Sequence, residues 1–304
     1  MPFEKFETEK EEINMDHKGS KKIIILLISL IVLLLIAIGI LIFFLLKDDS
    51  DSDSDTDSNS DSDSDSDSDT DLDESPFNKT IKDDEINLIP KSGKYDYVLI
   101  FIHGLTGNSS ENLEKFDKKD GPIPGNFKII LPCAPVANVS RLGFNTTSWF
   151  DITGINNDII VEEDINFDDL DKSSNRIKQI IENEVTNVDG NYSRIFVGGF
   201  SQGACLSYHV GLSFEHTLGG IIPFCGIPVS KTQIKENNKK DLNIFSILGG
   251  KDIYINLNYA MNKTLTVLSK FEKLKIEIFQ NEEHAVKEYE LEYVKTFIKS
   301  LLWL

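Results

Sequence analysis

Ser201 stands in the segment Gly198-Gly199-Phe200-Ser201-Gln202-Gly203, between the apolar run Arg194–Val197 and a helix-like stretch. A serine hydroxyl is a weak nucleophile until a base takes its proton, and it must also stand clear of the chain. The pattern G-x-S-x-G does the second job by building a strained strand-to-helix turn that exposes the hydroxyl. Gly199 and Gly203 are needed where strand and helix cross closely, whereas Gly198 has no role that the sequence assigns. The first helical N–H groups, beginning with Gln202, face the place where negative charge would develop during attack on a carbonyl. Two glycines and a serine are also ordinary turn residues, so the segment gains meaning only from its placement and its partners.

A base and an orienting acid are the partners such a serine requires. Asp252 follows the run Asn243–Leu248 in Gly249-Gly250-Lys251-Asp252, and His284 follows Leu274–Phe279 in Gln280-Asn281-Glu282-Glu283-His284. Alone, these would be a turn aspartate and a surface histidine. The competing histidines are poorly placed: His17 precedes a long apolar segment, and His209 and His216 lie in or just after the helix that follows Ser201. His103 opens His103-Gly104-Leu105-Thr106-Gly107 directly after the run Tyr97–Ile102. It is read as a structural histidine that orients this loop, and the Leu105 N–H as a second donor to a developing oxyanion. Serine, then acid, then histidine, each just past a predicted strand, is a conjunction that chance turn residues do not produce.

The elements that must position these groups are legible from periodicity. Tyr97–Ile102, Phe127–Leu131, Arg194–Val197, Leu218–Phe224, Asn243–Leu248 and Leu274–Phe279 are short apolar runs of the kind buried on both faces of a sheet. Between them, Leu170, Ile177, Ile180, Ile181 and Val185 share one helical face, and residues 259–268 and 290–302 behave similarly. The alternation predicts an α/β domain over 82–304 around a mostly parallel sheet flanked by helices. In such sheets sites gather beyond the carboxyl ends of the strands, where all three candidates fall.

The first quarter of the 304-residue chain is of another kind. Residues 1–22 are polar. Residues 23–46 hold no charged side chain and, at ~1.5 Å per helical residue, are long enough to span a bilayer. Lys18, Lys21 and Lys22 lie before this segment and only Lys47 directly after it, so the bias puts the N-terminus in the cytoplasm and the catalytic part in the lumen or outside the cell, as a single-pass protein. Residues 47–81 are expected to be a disordered stalk, dominated by Asp-Ser alternation that repels itself and offers no apolar surface. Cation binding or serine phosphorylation are alternative uses of that tract. The formal net charge of −19 owes much to it, and the acidity excludes nucleic acid as a partner. Cys133, Cys205 and Cys225 form no metal-ligand pattern and are read as buried structural thiols. Asn78, Asn108, Asn138, Asn145, Asn191 and Asn262 each begin an N-x-S/T sequon, which would suit a lumenal domain.

The segment from Tyr97 to Leu302 resembles the acyl-protein thioesterase and small carboxylesterase family of α/β-hydrolases. The resemblance rests on His103-Gly104-Leu105, Leu131-Pro132-Cys133-Ala134-Pro135-Val136, Ser148-Trp149-Phe150-Asp151, Gly199-Phe200-Ser201-Gln202-Gly203-Ala204, Asp252 and His284. It implies Ser201 as nucleophile, His284 as base, Asp252 as its orienting acid, and the Leu105 and Gln202 N–H groups as oxyanion hole. It further implies that Leu142, Phe144, Trp149 and Phe150 flank an acyl-chain groove, with core packing the other reading of Trp149 and Phe150. The chain departs from the family in having Leu248-Gly249-Gly250 before the acid, Ile255-Asn256 after it, Thr106-Gly107-Asn108 in the loop after Leu105, and Ala285-Val286 after His284. The expectation is a membrane-tethered serine hydrolase acting on acyl esters or thioesters, lipid or S-acylated protein, with no metal or organic cofactor. A catalytically silent hydrolase-fold ectodomain that only binds is the alternative.

Overall fold

A computed structural model describes residues 75–302, apart from 83–84, 155–158, 236–238 and 240. The expected N-terminal tail, membrane span (residues 23–46) and most of the stalk lie outside the described residues. Among the described residues no helix is long and apolar enough to cross a membrane.

Eight strands form the main sheet: β1 (Phe77–Lys82), β2 (Glu85–Pro90), β3 (Tyr97–Ile102), β4 (Phe127–Leu131), β7 (Ile195–Phe200), β8 (Gly220–Phe224), β9 (Asn243–Gly249) and β10 (Leu274–Phe279). Their order is β1-β2-β4-β3-β7-β8-β9-β10. From β4 to β10 every neighbouring pair is parallel, while β1 with β2 and β2 with β4 are antiparallel. A separate hairpin pairs β5 (Val136–Val139) with β6 (Phe144–Thr147). The helices are α1 (Leu113–Phe116), α2 (Phe167–Val185), α3 (Gln202–Ser213), α4 (Leu257–Leu268) and α5 (Glu288–Leu302).

The continuous apolar character of the central strands follows from burial on two sides. Along β3, Val98, Ile100 and Ile102 pack into one core with residues of α2, α3 and α4. Leu99 and Phe101, pointing the other way, join Phe116 of α1 and Leu291, Val294 and Ile298 of α5. The charge within β4, Lys128, is buried and donates to Glu184 at 2.6 Å, which satisfies it without water.

All six expected central strands form: β3, β4 and β10 keep the expected bounds, β8 starts two residues later, β9 ends one residue later, and β7 starts one residue later and ends three later, at Phe200. Three features differ from the sequence reading, the first being β2, for which no strand was expected although its side chains alternate between half-buried and buried. The strand β1 brings residues 77–81, assigned to the stalk, into the sheet together with Lys82. Of its side chains only that of Phe77 is buried, and six backbone pairs with β2 hold the rest, so hydrophobic pattern gave no sign of it. The β5–β6 hairpin also went unread, because its side chains are mostly exposed.

Candidate active site

Ser201 sits where β7 ends and α3 begins, with φ 55° and ψ −114°. Such a conformation costs about 1–3 kcal/mol for a side-chain-bearing residue. It is held by the Ser201 N–H donating to Phe224 O at 2.9 Å and by Ala204 and Cys205 N–H donating to Ser201 O. A Cβ on Gly203 would fall 2.2 Å from Ile102 O, and one on Gly199 would fall 2.5 Å from Gly203 O. Both contacts are with backbone that cannot yield, which is why strand and helix can cross here only at glycines. Gly198 also acquires a reason: a Cβ there would fall 3.0 Å from Ile222 O and 3.2 Å from the Phe101 ring.

The loops after β9 and β10 carry the partners to this turn. Ser201 Oγ and His284 Nε2 lie 2.8 Å apart, and His284 Nδ1 and Asp252 Oδ2 lie 2.6 Å apart. The remaining oxygen of Asp252 accepts from the N–H groups of Tyr254 and Ile255 at 2.9 and 2.8 Å. The Asp252 side chain is 1% exposed, so its hydrogen bonds to His284 and to these amides are scarcely shared with water. An ionised carboxylate only accepts, so Nδ1 carries the imidazole proton and Nε2 is left as acceptor for the serine hydroxyl. Phe200 and Tyr254 pack on the ring with centroids at 4.7 and 5.2 Å and restrict its rotation. Gly249 and Gly250 let the two loops touch: a Cβ on either would meet Glu283 O or Gln280 O. The Asn256 departure has a local explanation as well, since its side chain caps α4 by accepting from Tyr259 N–H.

Leu105 and Gln202 line the same cavity as Ser201 and His284. Neither backbone N–H has an acceptor among the described residues. A hydrogen-bond chain connects the two segments. His103 donates from Nδ1 to Gly104 O at 2.7 Å and accepts at Nε2 from Ala134 N–H at 2.9 Å, with burial pushing its pKa down, so it is a neutral structural histidine. The Trp149 indole donates to His103 O at 2.9 Å, and Trp149 N–H donates to Gln202 Oε1 at 2.8 Å. Gln202 Nε2 in turn donates to Ser148 Oγ and Phe150 O. Asp151 closes the loop by accepting from the N–H and hydroxyl of Ser140. The spacing between the Ser-Trp-Phe-Asp segment and the serine turn thus reflects a physical clamp, which residue patterns in one sequence do not display.

Trp149 is 2% exposed and does not line the cavity, and Phe144 is 53% exposed and stands outside its lining. Of the four residues expected along an acyl groove, Leu142 and Phe150 line the cavity. Sequence reasoning missed Ile152, Ile160, Ile165 and Tyr254, which complete the wall. The signal for the first three was apolar character in an otherwise loop-like stretch. Cys205 and Cys225 are buried as expected, but Cys133 is half-buried. Burial pushes the Cys205 thiol up to about 11 and the Cys225 thiol higher, which keeps both protonated. Cys225 Sγ approaches Asp252 and His284 within 4.8 Å, yet both nitrogens of His284 are already engaged, so the trio has no free imidazole lone pair for a cation. All six sequon asparagines are exposed.

Replacing Trp149 by phenylalanine removes the indole donor between the two N–H segments. We expect kcat for an acyl ester to fall roughly tenfold with KM little changed, because geometry rather than ground-state binding is lost. Steady-state kinetics check this, and an equal rise in KM would point to a contact with substrate instead.

A strained serine between a parallel strand and a helix, with acid and histidine on the loops after two later strands, defines an α/β-hydrolase. Residues 84–302 match the phospholipase/carboxylesterase family, and the chain belongs to that family. It is 26% identical over 226 residues to acyl-protein thioesterase 1 of Eremothecium gossypii, covering 71% of this chain and 93% of the relative. Acyl-protein thioesterase 1 homolog 1 of Dictyostelium discoideum is 31% identical over 157 residues, 51% of this chain and 68% of that one. Among solved structures, acyl-protein thioesterase 2 of Zea mays superposes with a TM-score of 0.60 at 18% identity, covering 72% of this chain and 98% of its own. At that identity the likeness speaks for the fold.

Proposed function

We propose that the chain is a membrane-tethered serine hydrolase that cleaves carboxylic acyl esters or thioesters through an acyl-enzyme. The observation that carries this reading is the hydrogen-bonded line Ser201–His284–Asp252 opening onto an apolar cavity of about 290 Å³. In the first half-reaction Ser201 Oγ attacks the carbonyl carbon while His284 Nε2 takes the hydroxyl proton. The Leu105 and Gln202 N–H groups receive the oxyanion, and protonated His284 passes its proton to the departing oxygen or sulfur. Water then repeats the sequence on the acyl-enzyme and frees the acid. Asp252 stays ionised throughout, orienting the ring and stabilising its positive charge.

The acyl chain enters the cavity walled by Leu142, Phe150, Ile152, Ile160 and Ile165. Each methylene buried there contributes ~0.8 kcal/mol. Across p-nitrophenyl esters from acetate upward, kcat/KM is expected to rise about fourfold per methylene until the cavity is full. A flat or falling series from the shortest member would refute acyl binding in this cavity.

The tether is the apolar segment 23–46, and the lysine bias around it supports a cytoplasmic N-terminus with the hydrolase domain lumenal or extracellular. The exposure of all six sequon asparagines is compatible with glycosylation on that side. A mobility shift of the native protein on glycosidase treatment tests the topology; no shift, together with protease resistance of the domain inside intact cells, would reverse it.

A further inference from the structure

Ile160 and Ile165 wall the apolar cavity from a segment outside the main sheet. Its backbone ties include a bridge between Ile165 and Ile152, and Ile160 N–H donating to Tyr254 O at 2.8 Å. Glu162 stands between the two isoleucines, is buried, and does not line the cavity. Its carboxylate collects donors from two distant parts of the chain. Oε1 accepts from Ser230 N–H at 2.8 Å and from Lys231 N–H at 3.3 Å. Oε2 accepts from the Ser230 hydroxyl at 2.8 Å and from the Lys263 ammonium. Ser230 and Lys231 lie in the loop after β8, and Lys263 lies on α4. The Glu162 N–H also donates to the Tyr259 hydroxyl at 2.8 Å, one turn before Lys263 on the same helix. Burial pushes the Glu162 carboxyl up, but the hydrogen bonds from Lys263 and Ser230 outweigh it and hold its pKa below the usual carboxylate range. The pair is therefore ionised, and its charge-assisted bonds are of the strong kind. None of these groups is used by the reaction at Ser201.

A wall outside the sheet holds its place only as well as its ties to the body behind it. Dispersion contact falls steeply with distance, so an acyl chain gains its full attraction only where the wall stays put. We infer that Glu162, paired with Lys263, is a positioning residue that fixes Ile160 and Ile165 against the acyl chain and thereby sets how strongly the enzyme discriminates by acyl length. The inference rests on the serine-hydrolase reading above, with the acyl chain in the apolar cavity, and adds a specificity-determining residue outside that cavity. The wall also meets the triad: Tyr254 O accepts from Ile160 N–H, and Tyr254 N–H donates to Asp252 Oδ1 at 2.9 Å.

The test uses full-length protein with p-nitrophenyl hexanoate and p-nitrophenyl acetate. Active enzyme is counted by fluorophosphonate titration, and selectivity is read as the hexanoate-to-acetate ratio of kcat/KM within each variant, so partial misfolding cancels. A disturbance passed to Asp252 through Tyr254 acts on both esters and cancels as well. At about fourfold per methylene, the longer chain should give wild type a ratio of about 250. In Glu162→Gln the new amide nitrogen faces the Lys263 ammonium, donor against donor, and the wall moves off. A gap of ~0.5–1 Å forfeits about a quarter to a half of the contact, so the ratio is expected to fall about four- to sixteenfold, mostly through KM for hexanoate. Adding Lys263→Gln offers that nitrogen an amide oxygen and is expected to return the ratio to within about threefold of wild type. An unmoved ratio in Glu162→Gln, or a loss that Lys263→Gln does not recover, overturns the positioning role. A flat wild-type ratio overturns acyl binding in the cavity and this inference with it. Wild-type protein that cleaves neither ester, or Ser201→Ala protein that cleaves them equally well, overturns the hydrolase reading itself.

Discussion

Replacing Ser201 by alanine is expected to lower kcat for any acyl ester roughly a million-fold and to abolish labelling by a fluorophosphonate probe. The size of the loss follows from the arrangement. Among the described residues Ser201 supplies the only hydroxyl within reach of His284 Nε2, at 2.8 Å, and without it no acyl-enzyme forms. What survives is the modest help of the Leu105 and Gln202 N–H groups to attack by water. Stability should change little or rise, because alanine at φ 55° is strained much as serine is, while the cavity loses a desolvated hydroxyl. Labelling gels and thermal melts on the same preparation separate the two effects. Undiminished labelling of the variant would show that another residue is the nucleophile.

Asp252→Asn is expected to leave the fold intact and still cost roughly ten-thousand-fold in kcat. The Asp252 oxygen that accepts from Tyr254 and Ile255 is matched by the amide oxygen of asparagine, so the loop keeps its hydrogen bonds. The amide nitrogen then takes the place of Oδ2 facing His284 Nδ1 at 2.6 Å. It can only donate, so Nδ1 must become the acceptor and the imidazole proton moves to Nε2. That nitrogen would then donate to Ser201 Oγ instead of taking its proton, and the base is lost without any atom moving far. Pre-steady-state kinetics with an activated ester check it: acylation should slow by the full factor. A loss below tenfold would mean that Asp252 does not set the tautomer.

Ser201 and Asp252 can both be named from the sequence. Chemistry at strand ends leaves a linear trace, because a nucleophile needs glycines where strand meets helix, and its base and acid need their own strands to end at one edge of the sheet. The α/β alternation, the central strands, and Ser201, Asp252, His284 and His103 were therefore legible. The hairpin over 136–147 and the strand at 77–82 were not, since exposed side chains carry no periodic signal and backbone pairing is blind to residue type, and β2 went unread because its alternation spans only six residues.

Sequence also could not sort the aromatic residues. Trp149 and Phe150 are neighbours of one type, yet Trp149 is locked inside by His103 O and Gln202 Oε1 while Phe150 faces the cavity. Which way each points depends on partners some fifty residues away in the chain, and those distances close only on folding. The sequence by itself determined the fold class, the three residues that the fold brings into one hydrogen-bonded line, and the apolar segment that precedes the domain. Tertiary structure decided the tautomer of His284, the clamp between the two N–H segments and which side chains wall the apolar cavity. These depend on angles and distances of a few ångströms between residues far apart in the chain, to which residue types alone are indifferent.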